Sequence, residues 1–151
     1  MPAPAGNISI NDKKIITDLL LKSGATIDET NAVRKHLSRL KGGQLASLLY
    51  PAESICLILS DVIGDRLDVI ASGLTVPDAS TFRDAVDVLK RYSIWNNIPR
   101  PVMNHLLKGL KGEIAETPKS ANPAFKRVKN IIIGNNKSAA AEAEKKAKEL
   151  G

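Results

Sequence analysis

The stretch Ile55-Cys56-Leu57-Ile58-Leu59 decides the fold class, because it is a continuous apolar run without polar alternation. This pattern is typical of a strand that is buried on both faces of a parallel sheet. A second run of this kind, VKNIII at residues 128–133, leads into Gly134-Asn135-Asn136. Helical patterns surround both runs, so the sequence predicts a layered α/β domain with a mostly parallel sheet.

Helical periodicity and capping signals predict six helices around these strands. Ser9 or Asn11 is available to cap the first helix, and Gly24 is available to end it. Thr26 and Glu29 have the spacing of a capping box for the second helix. The predicted helices cover residues 9–23, 27–40, 44–49, 80–92, 102–110 and 137–150, and residues 62–77 and 111–126 are predicted as irregular.

The predicted sheet is short of strands. Only two runs qualify, about seventy residues apart, whereas sheets usually contain about four to six strands. Either further strands come before residue 1, or the pattern near residues 71–76 hides one. The simplest interpretation is a fragment of a larger α/β domain.

Composition limits the class of protein. The chain has 151 residues, 43% of them apolar and 25% charged, which suits one globular domain. No apolar run approaches the roughly 20 residues that cross a bilayer. A single cysteine, Cys56, excludes an intrachain disulfide. We therefore expect a cytoplasmic protein that binds no membrane.

The net charge of +6 is concentrated in one stretch. Residues 100–129 carry seven basic and two acidic side chains, which would attract phosphates or nucleic acid. Aromatic residues make up only 3% of the chain, so few side chains could stack on bases. A solvated basic surface is the better interpretation.

Two candidate sites follow from the predicted sheet, because ligands of α/β folds bind beyond the carboxyl ends of the strands. Aspartates after the first strand are candidates for Mg²⁺ or for a hydroxyl proton. Small residues in Ser72-Gly73-Leu74-Thr75 are candidates for holding an anion on backbone amides. The alternative for all of them is an ordinary helix cap or turn. The candidates are Ser60, Asp61, Gly64, Asp65, Asp68, Ser72, Gly73, Thr75, Asp78 and, after the second strand, Asn135.

A third candidate site is a cluster of cations before Gly42-Gly43. Its members could clamp a carboxylate or phosphates, and they are Arg34, Lys35, His36, Arg39 and Lys41. On spacing alone, a solvated helix face with a glycine cap explains these residues better. The sequence contains none of the common nucleotide-binding or hydrolase motifs.

Five ordered segments carry a family resemblance. Together they resemble the glycerate 2-kinase family, whose C-terminal half is called the MOFRL domain and whose members were earlier named hydroxypyruvate reductases. The resemblance covers essentially the whole chain. The segments are NAVRKHLSRLKGGQLA (31–46), LSDVIGD (59–65), IASGLTVPD (70–78), ETPK (116–119) and NIIIGNN (130–136).

This resemblance implies a three-layer, Rossmann-like domain that is incomplete here. Residues 1–151 match the later part of the family's N-terminal α/β domain. The family's earlier strands, an early lysine motif, a Ser-Gly-Gly-Gly-Ser loop and the C-terminal MOFRL domain are expected to be absent. One departure is visible, since the family usually has proline where this chain has Leu74. That change is expected to loosen the loop.

The resemblance also implies an activity, which is phosphoryl transfer from ATP to D-glycerate with Mg²⁺, giving 2-phosphoglycerate. The complete protein would be the kinase, and this chain alone is expected to be inactive. The implied catalytic residues are Asp61, Asp65 and Lys41, with Asp61 on Mg²⁺. The implied substrate- and phosphate-binding residues are Arg34, Lys35, Gly42, Gly43, Ser60, Ser72, Gly73, Thr75 and Asn135.

Two other functions stay open at this point. One is an oxidoreductase acting on hydroxypyruvate, for which no nicotinamide-binding loop is visible. The other is a non-catalytic binding or structural module that pairs its sheet edge with another chain. A homo-oligomer is compatible with either.

Overall fold

The structure, a computed structural model, describes residues 2–151. Over this range the chain forms six α-helices, two strands and three short 3₁₀ turns. The prediction of an α/β fold with a parallel sheet is confirmed. The elements are α1 (Ile10–Ser23), α2 (Ile27–His36), α3 (Gln44–Leu49), β1 (Ser54–Ser60), α4 (Phe82–Arg91), α5 (Arg100–Leu110), β2 (Val128–Asn135) and α6 (Asn136–Leu150).

The two strands pair in parallel along their whole length. Ser54 lies opposite Val128 at one end, and Ser60 lies opposite Asn135 at the other. The register shifts between Ile58 and Leu59, because β2 holds one extra residue there, as in a bulge. No other strand occurs in residues 2–151, and the segment near residues 71–76 forms a 3₁₀ turn (Ile70–Ser72).

The sheet is covered on one face only. Cys56 and Ile58 face a segment that includes Ile70 and Leu74, around a cavity of about 50 Å³. On the opposite face Ile55, Leu57 and Leu59 are 70%, 64% and 74% exposed. The prediction that β1 is buried on both faces is therefore wrong for this chain, and residues 2–151 provide no third layer. The apolar side chains are present without the element that would cover them.

The main core lies among the helices. It is built from Leu, Ile and Val side chains with a single aromatic ring, as the 3% aromatic content requires. One face of α4 belongs to this core, because Phe82, Ala85, Val86 and Leu89 are all buried. The largest fully buried aliphatic side chains are Ile16, Leu20, Val33, Leu37, Val86, Leu89, Val102 and Leu106.

The second helix ends earlier than predicted. Its capping box, Thr26 with Glu29, is confirmed, but the helix stops at His36 rather than Leu40. The Ser38 hydroxyl accepts hydrogen bonds from the backbone amides of Leu40 and Lys41, which offers this backbone an alternative to the helix. Lys41 therefore lies in a loop, where it can reach residues that a helical lysine would not.

Gly43 is required by close packing. Its φ is +79°, and a Cβ there would lie 2.7 Å from both Phe125 Cζ and Val76 O. Gly24 also has a positive φ, of +75°, but nothing lies within 4 Å of its Cβ position. Comparing substitutions at Gly43 and Gly24 therefore separates the cost of backbone strain from the cost of steric overlap.

We predict that Gly43→Ala lowers the free energy of unfolding more than Gly24→Ala. Both variants lose about 1–2 kcal/mol from the left-handed backbone, and Gly43→Ala loses a further 1–3 kcal/mol or so through overpacking. Urea denaturation of the two variants measures the difference. Equal losses would show that Val76 and Phe125 move aside freely.

Candidate functional site

The carboxyl ends of β1 and β2 bring two predicted sites together. The Asn135 side-chain amide donates to Asp65 Oδ2 at 2.6 Å. The Asn136 amide donates to the carbonyl oxygen of Asp61 at 3.0 Å. The loop after β1 is thus held against the start of α6, and Asp61, Asp65 and Asn135 share one edge of the sheet.

This edge borders an open cleft of about 410 Å³. Asp61 is exposed, whereas Ser60 is buried and its hydroxyl accepts from the Val62 amide. Asp65 has a φ of +54°, an uncommon conformation for a residue with a side chain. Strained residues of this kind cluster at functional sites.

The loop continues from this edge to Lys41. The Lys41 ammonium donates to Ala71 O at 2.8 Å and lies 3.4 Å from Ser72 Oγ. The amides of Gly42 and Gly43 donate to the carbonyl oxygens of Ser72 and Gly73 at 3.0 and 2.7 Å. The two predicted glycine-containing loops therefore bind each other.

These contacts occupy groups that the sequence offers to an anion. The amides of Ser72 and Gly73 donate to Val69 O and Ile70 O within their own turn. The Thr75 hydroxyl, buried, donates to Asn130 Oδ1 at 2.6 Å. Leu74 lines the small cavity against β1. Within this structure, Ser72, Gly73 and Thr75 hold the loop in place.

Lys35 forms a buried ion pair with Asp78. Its ammonium lies 3.0 Å from Asp78 Oδ1, with side-chain exposures of 8% and 0%. Ser80 and Thr117 hydroxyls donate to the same carboxylate at 2.8 and 2.9 Å. Burial opposes ionisation of Asp78, but the Ser80 hydrogen bond and the Lys35 charge outweigh it and hold the pKa of Asp78 below its usual value. Lys35 is thus already neutralised by a protein group.

The ETPK segment supports the same region. Glu116 accepts from the Phe82 amide at 2.8 Å, and its other oxygen lies 3.0 Å from Nε2 of the buried His36. The His36 Nδ1 lies 2.8 Å from Ala32 O. Both ring nitrogens of His36 therefore face oxygen acceptors. Lys119 donates to Ser80 O and to Thr117, so the segment joins α2 to the start of α4.

Lys13, which the sequence analysis missed, lies beside Arg34 and Lys41. Burial, followed by the charges of Arg34 and Lys13, lowers the pKa of Lys41 to about 8. Burial and the Arg34 charge also lower the pKa of Lys13. One signal was available, since Lys13 precedes the buried Ile16 and Leu20 by three and seven residues and so shares their helix face.

The other basic residues are dispersed. Arg39 is exposed, and Arg127 pairs with Glu53 on the surface at 2.8 Å. Within residues 2–151, no group of three His, Cys, Asp or Glu side chains is placed to hold a metal ion. No helix in that range is long and apolar enough to span a bilayer.

Comparison with known proteins identifies the family. Residues 1–107 match a family described as a domain of unknown function, DUF4147. This chain belongs to the DUF4147 family. Over 148 aligned residues, this chain is 47% identical to a glycerate 2-kinase of Pyrococcus horikoshii. The aligned residues make up 98% of this chain and 33% of that relative. This chain is 44% identical to the mouse glycerate kinase, over 100% of this chain and 28% of the relative.

Solved structures agree with this assignment. A crystal structure of a Pyrococcus horikoshii protein matches 98% of the DUF4147 chain and 33% of its own length, with a TM-score of 0.82 at 47% identity. The Thermotoga maritima glycerate kinase matches with a TM-score of 0.78 at 44% identity, over 98% and 33% of the two chains. The resemblance to the glycerate 2-kinase family is confirmed, and the chain spans about a third of the length of these relatives.

We predict that Asp78→Asn lowers the free energy of unfolding by about 3–5 kcal/mol, because Lys35 is left buried without a counter-charge. The pKa of Asp78 is lower in the folded state than in the unfolded state. Its contribution to the free energy of unfolding is therefore fully present above the unfolded pKa of about 3.9. That contribution is lost as the pH falls through the folded pKa. Urea midpoints from pH 7 to pH 2 test both statements.

The control is Asp18→Asn, at an exposed position of α1. It should unfold like the parent chain at every pH. An Asp78→Asn variant with the parent's midpoint at pH 7 would contradict the assigned importance of the ion pair.

We predict a second pH effect from Lys41. Its folded pKa of about 8 lies below its usual 10.5, so the native state binds fewer protons than the unfolded state between these values. The free energy of unfolding should therefore rise with pH across that window. Lys41→Met should reduce this rise and leave the part that comes from Lys13, whose pKa is also lowered, whereas Lys14→Met, at an exposed position, should keep all of it. Urea midpoints at pH 7, 8, 9 and 10 measure the slopes, and equal slopes in the two variants would contradict the assignment.

Proposed function

We propose that this chain is part of an ATP-dependent glycerate kinase, which transfers a phosphoryl group to D-glycerate to give 2-phosphoglycerate. It would supply the later part of the N-terminal α/β domain, with the C-terminal MOFRL domain outside it. Relatives named glycerate kinase at 42–47% identity support this function. The observation that carries it is the loop from Asp61 to Thr75, which joins a carboxylate-bearing sheet edge to the buried cation Lys41.

In this proposal the carboxylates act at the reacting end. Asp61 and Asp65 lie where ligands of α/β sheets bind. One orients the attacking hydroxyl or accepts its proton, as a general base does. The amide of Asn135 fixes the Asp65 carboxylate, and Ser60 ends the strand that places Asp61.

Mg²⁺ fits this edge. In nucleotide sites it is held by one or two carboxylates together with substrate phosphates. Asp61 and Asp65 are two carboxylates at this edge, held there by Asn136 and Asn135. We assign Asp61 as the protein ligand. When bound, Mg·ATP supplies the phosphoryl group and neutralises charge on its oxygens. We also propose that this activity takes place in the cytoplasm.

The cations divide into two roles. Arg34 and Lys41 would bind the substrate carboxylate or nucleotide phosphates, since charged donors stabilise anions in water-poor sites. Lys35 is paired with Asp78, so we assign it a positioning role. Gly42, Gly43, Ser72, Gly73 and Thr75 position the loop that carries Lys41.

The chain alone is expected to be inactive. It spans about a third of its kinase relatives, and the outer face of its sheet is uncovered. The missing two thirds can be supplied by a chimera, in which this chain replaces the matched third of the Pyrococcus horikoshii glycerate 2-kinase.

We predict that the chimera phosphorylates D-glycerate with ATP and Mg²⁺, whereas the 151-residue chain shows no turnover. Asp61→Asn and Asp65→Asn in the chimera should each lower kcat/KM by about 100-fold or more, because a positioned carboxylate is lost. Asp18→Asn should leave kcat/KM unchanged. Product formation is followed by a coupled assay for 2-phosphoglycerate.

Two results would refute the proposal. One is a folded chimera that transfers no phosphoryl group to glycerate. The other is reduction of hydroxypyruvate by NADH in the chimera, which would favour the oxidoreductase instead. Turnover by the isolated chain would refute only the expectation of inactivity.

A further inference from the structure

We propose that Lys13, Arg34 and Lys41, together with the side-chain amide of Asn31, form a binding site for a doubly charged phosphate group. Lys13 and Asn31 extend the site beyond the residues that the sequence indicates. That the phosphate belongs to a nucleotide or a phosphorylated product rests on the proposed function. The existence of the site does not.

Three segments bring these groups together. Asn31 and Arg34 lie three residues apart on α2 and therefore share one face of that helix. Lys13 comes from α1, and Lys41 comes from the loop after α2. The three cations are close enough for their charges to act on one another.

Two of the donors at this site lack partners. The Lys13 ammonium and the Asn31 amide nitrogen are buried and have no hydrogen-bond partner among residues 2–151. Within that range no carboxylate pairs with Lys13, Arg34 or Lys41. Buried polar groups are almost always satisfied, so unsatisfied donors in a group indicate a ligand.

Hydrogen bonds connect the amide to the cations. Asn31 Oδ1 accepts from the Ser72 hydroxyl at 2.8 Å, and Ser72 Oγ lies 3.4 Å from the Lys41 ammonium. Asn31 is 3% exposed. Ser72 therefore connects the buried side chain of Asn31 to Lys41.

The charge indicates which anion would bind. Three facing cations repel one another, and burial strengthens that repulsion. A carboxylate supplies one negative charge, whereas a phosphate monoester supplies nearly two and offers three acceptor oxygens. The arginine fork also matches phosphate in a bidentate arrangement. We therefore assign phosphate rather than the glycerate carboxylate to this site.

The test measures anion binding by the 151-residue chain, without any kinase assay. Inorganic phosphate, ATP without metal and D-glycerate are titrated separately by calorimetry at constant ionic strength. Phosphate should bind, glycerate should bind at least tenfold more weakly, and ATP should compete with phosphate. Lys13→Met should weaken phosphate binding about tenfold or more, the effect of one charged hydrogen bond. The matched control, Lys14→Met, should change it less than twofold.

A second variant guards against misfolding. Asn31→Asp places a carboxylate among the cations, so it should raise the thermal midpoint without phosphate and abolish phosphate binding. Equal phosphate affinity in Lys13→Met and Lys14→Met would overturn the inference. Tighter binding of glycerate than of phosphate would overturn it too. Phosphate binding that depends on Lys13, beside an inactive chimera, would retain this site and remove the kinase proposal.

Discussion

The ion pair between Lys35 and Asp78 is the contact on which the rest of the site depends. It joins α2 to the segment after the 3₁₀ turn, and Ser80 and Thr117 complete the coordination of its carboxylate. A Cβ at Gly42 would lie 3.2 Å from the same carboxylate. The ion pair therefore also limits how closely the backbone at Gly42 can approach Asp78. Because both charges are buried, losing either partner leaves the other uncompensated.

Next to this neutralised pair the protein keeps cations that are not neutralised. The charges of Lys13 and Arg34 act on Lys41, whose pKa is lowered to about 8 by burial and by these two neighbours. Such an arrangement lowers the stability of the fold on its own. It is understandable when an anion belongs there, since the anion removes the repulsion and satisfies the donors together.

The uncovered sheet face, like the cation cluster, is unfavourable on its own. Ile55, Leu57 and Leu59 are the apolar side chains of a strand that is built to be covered, yet they are exposed. The chain spans about a third of its relatives. The carboxyl edge with Asp61 and Asp65 and the cation cluster are both assembled within this third, by one loop that runs between them.

The sequence by itself determined the helices and strands, because apolar periodicity and capping residues such as Thr26 and Glu29 act over a few neighbouring positions. It also placed Asp61 and Asn135 at one edge, because parallel strands share their carboxyl ends. Only the tertiary structure decided that α2 stops at His36, that Lys35 is bound by Asp78, that the Ser72 and Gly73 amides are occupied, and that Lys13 joins the cations. Those outcomes depend on side chains that meet from distant segments, and no local pattern records which of them meet.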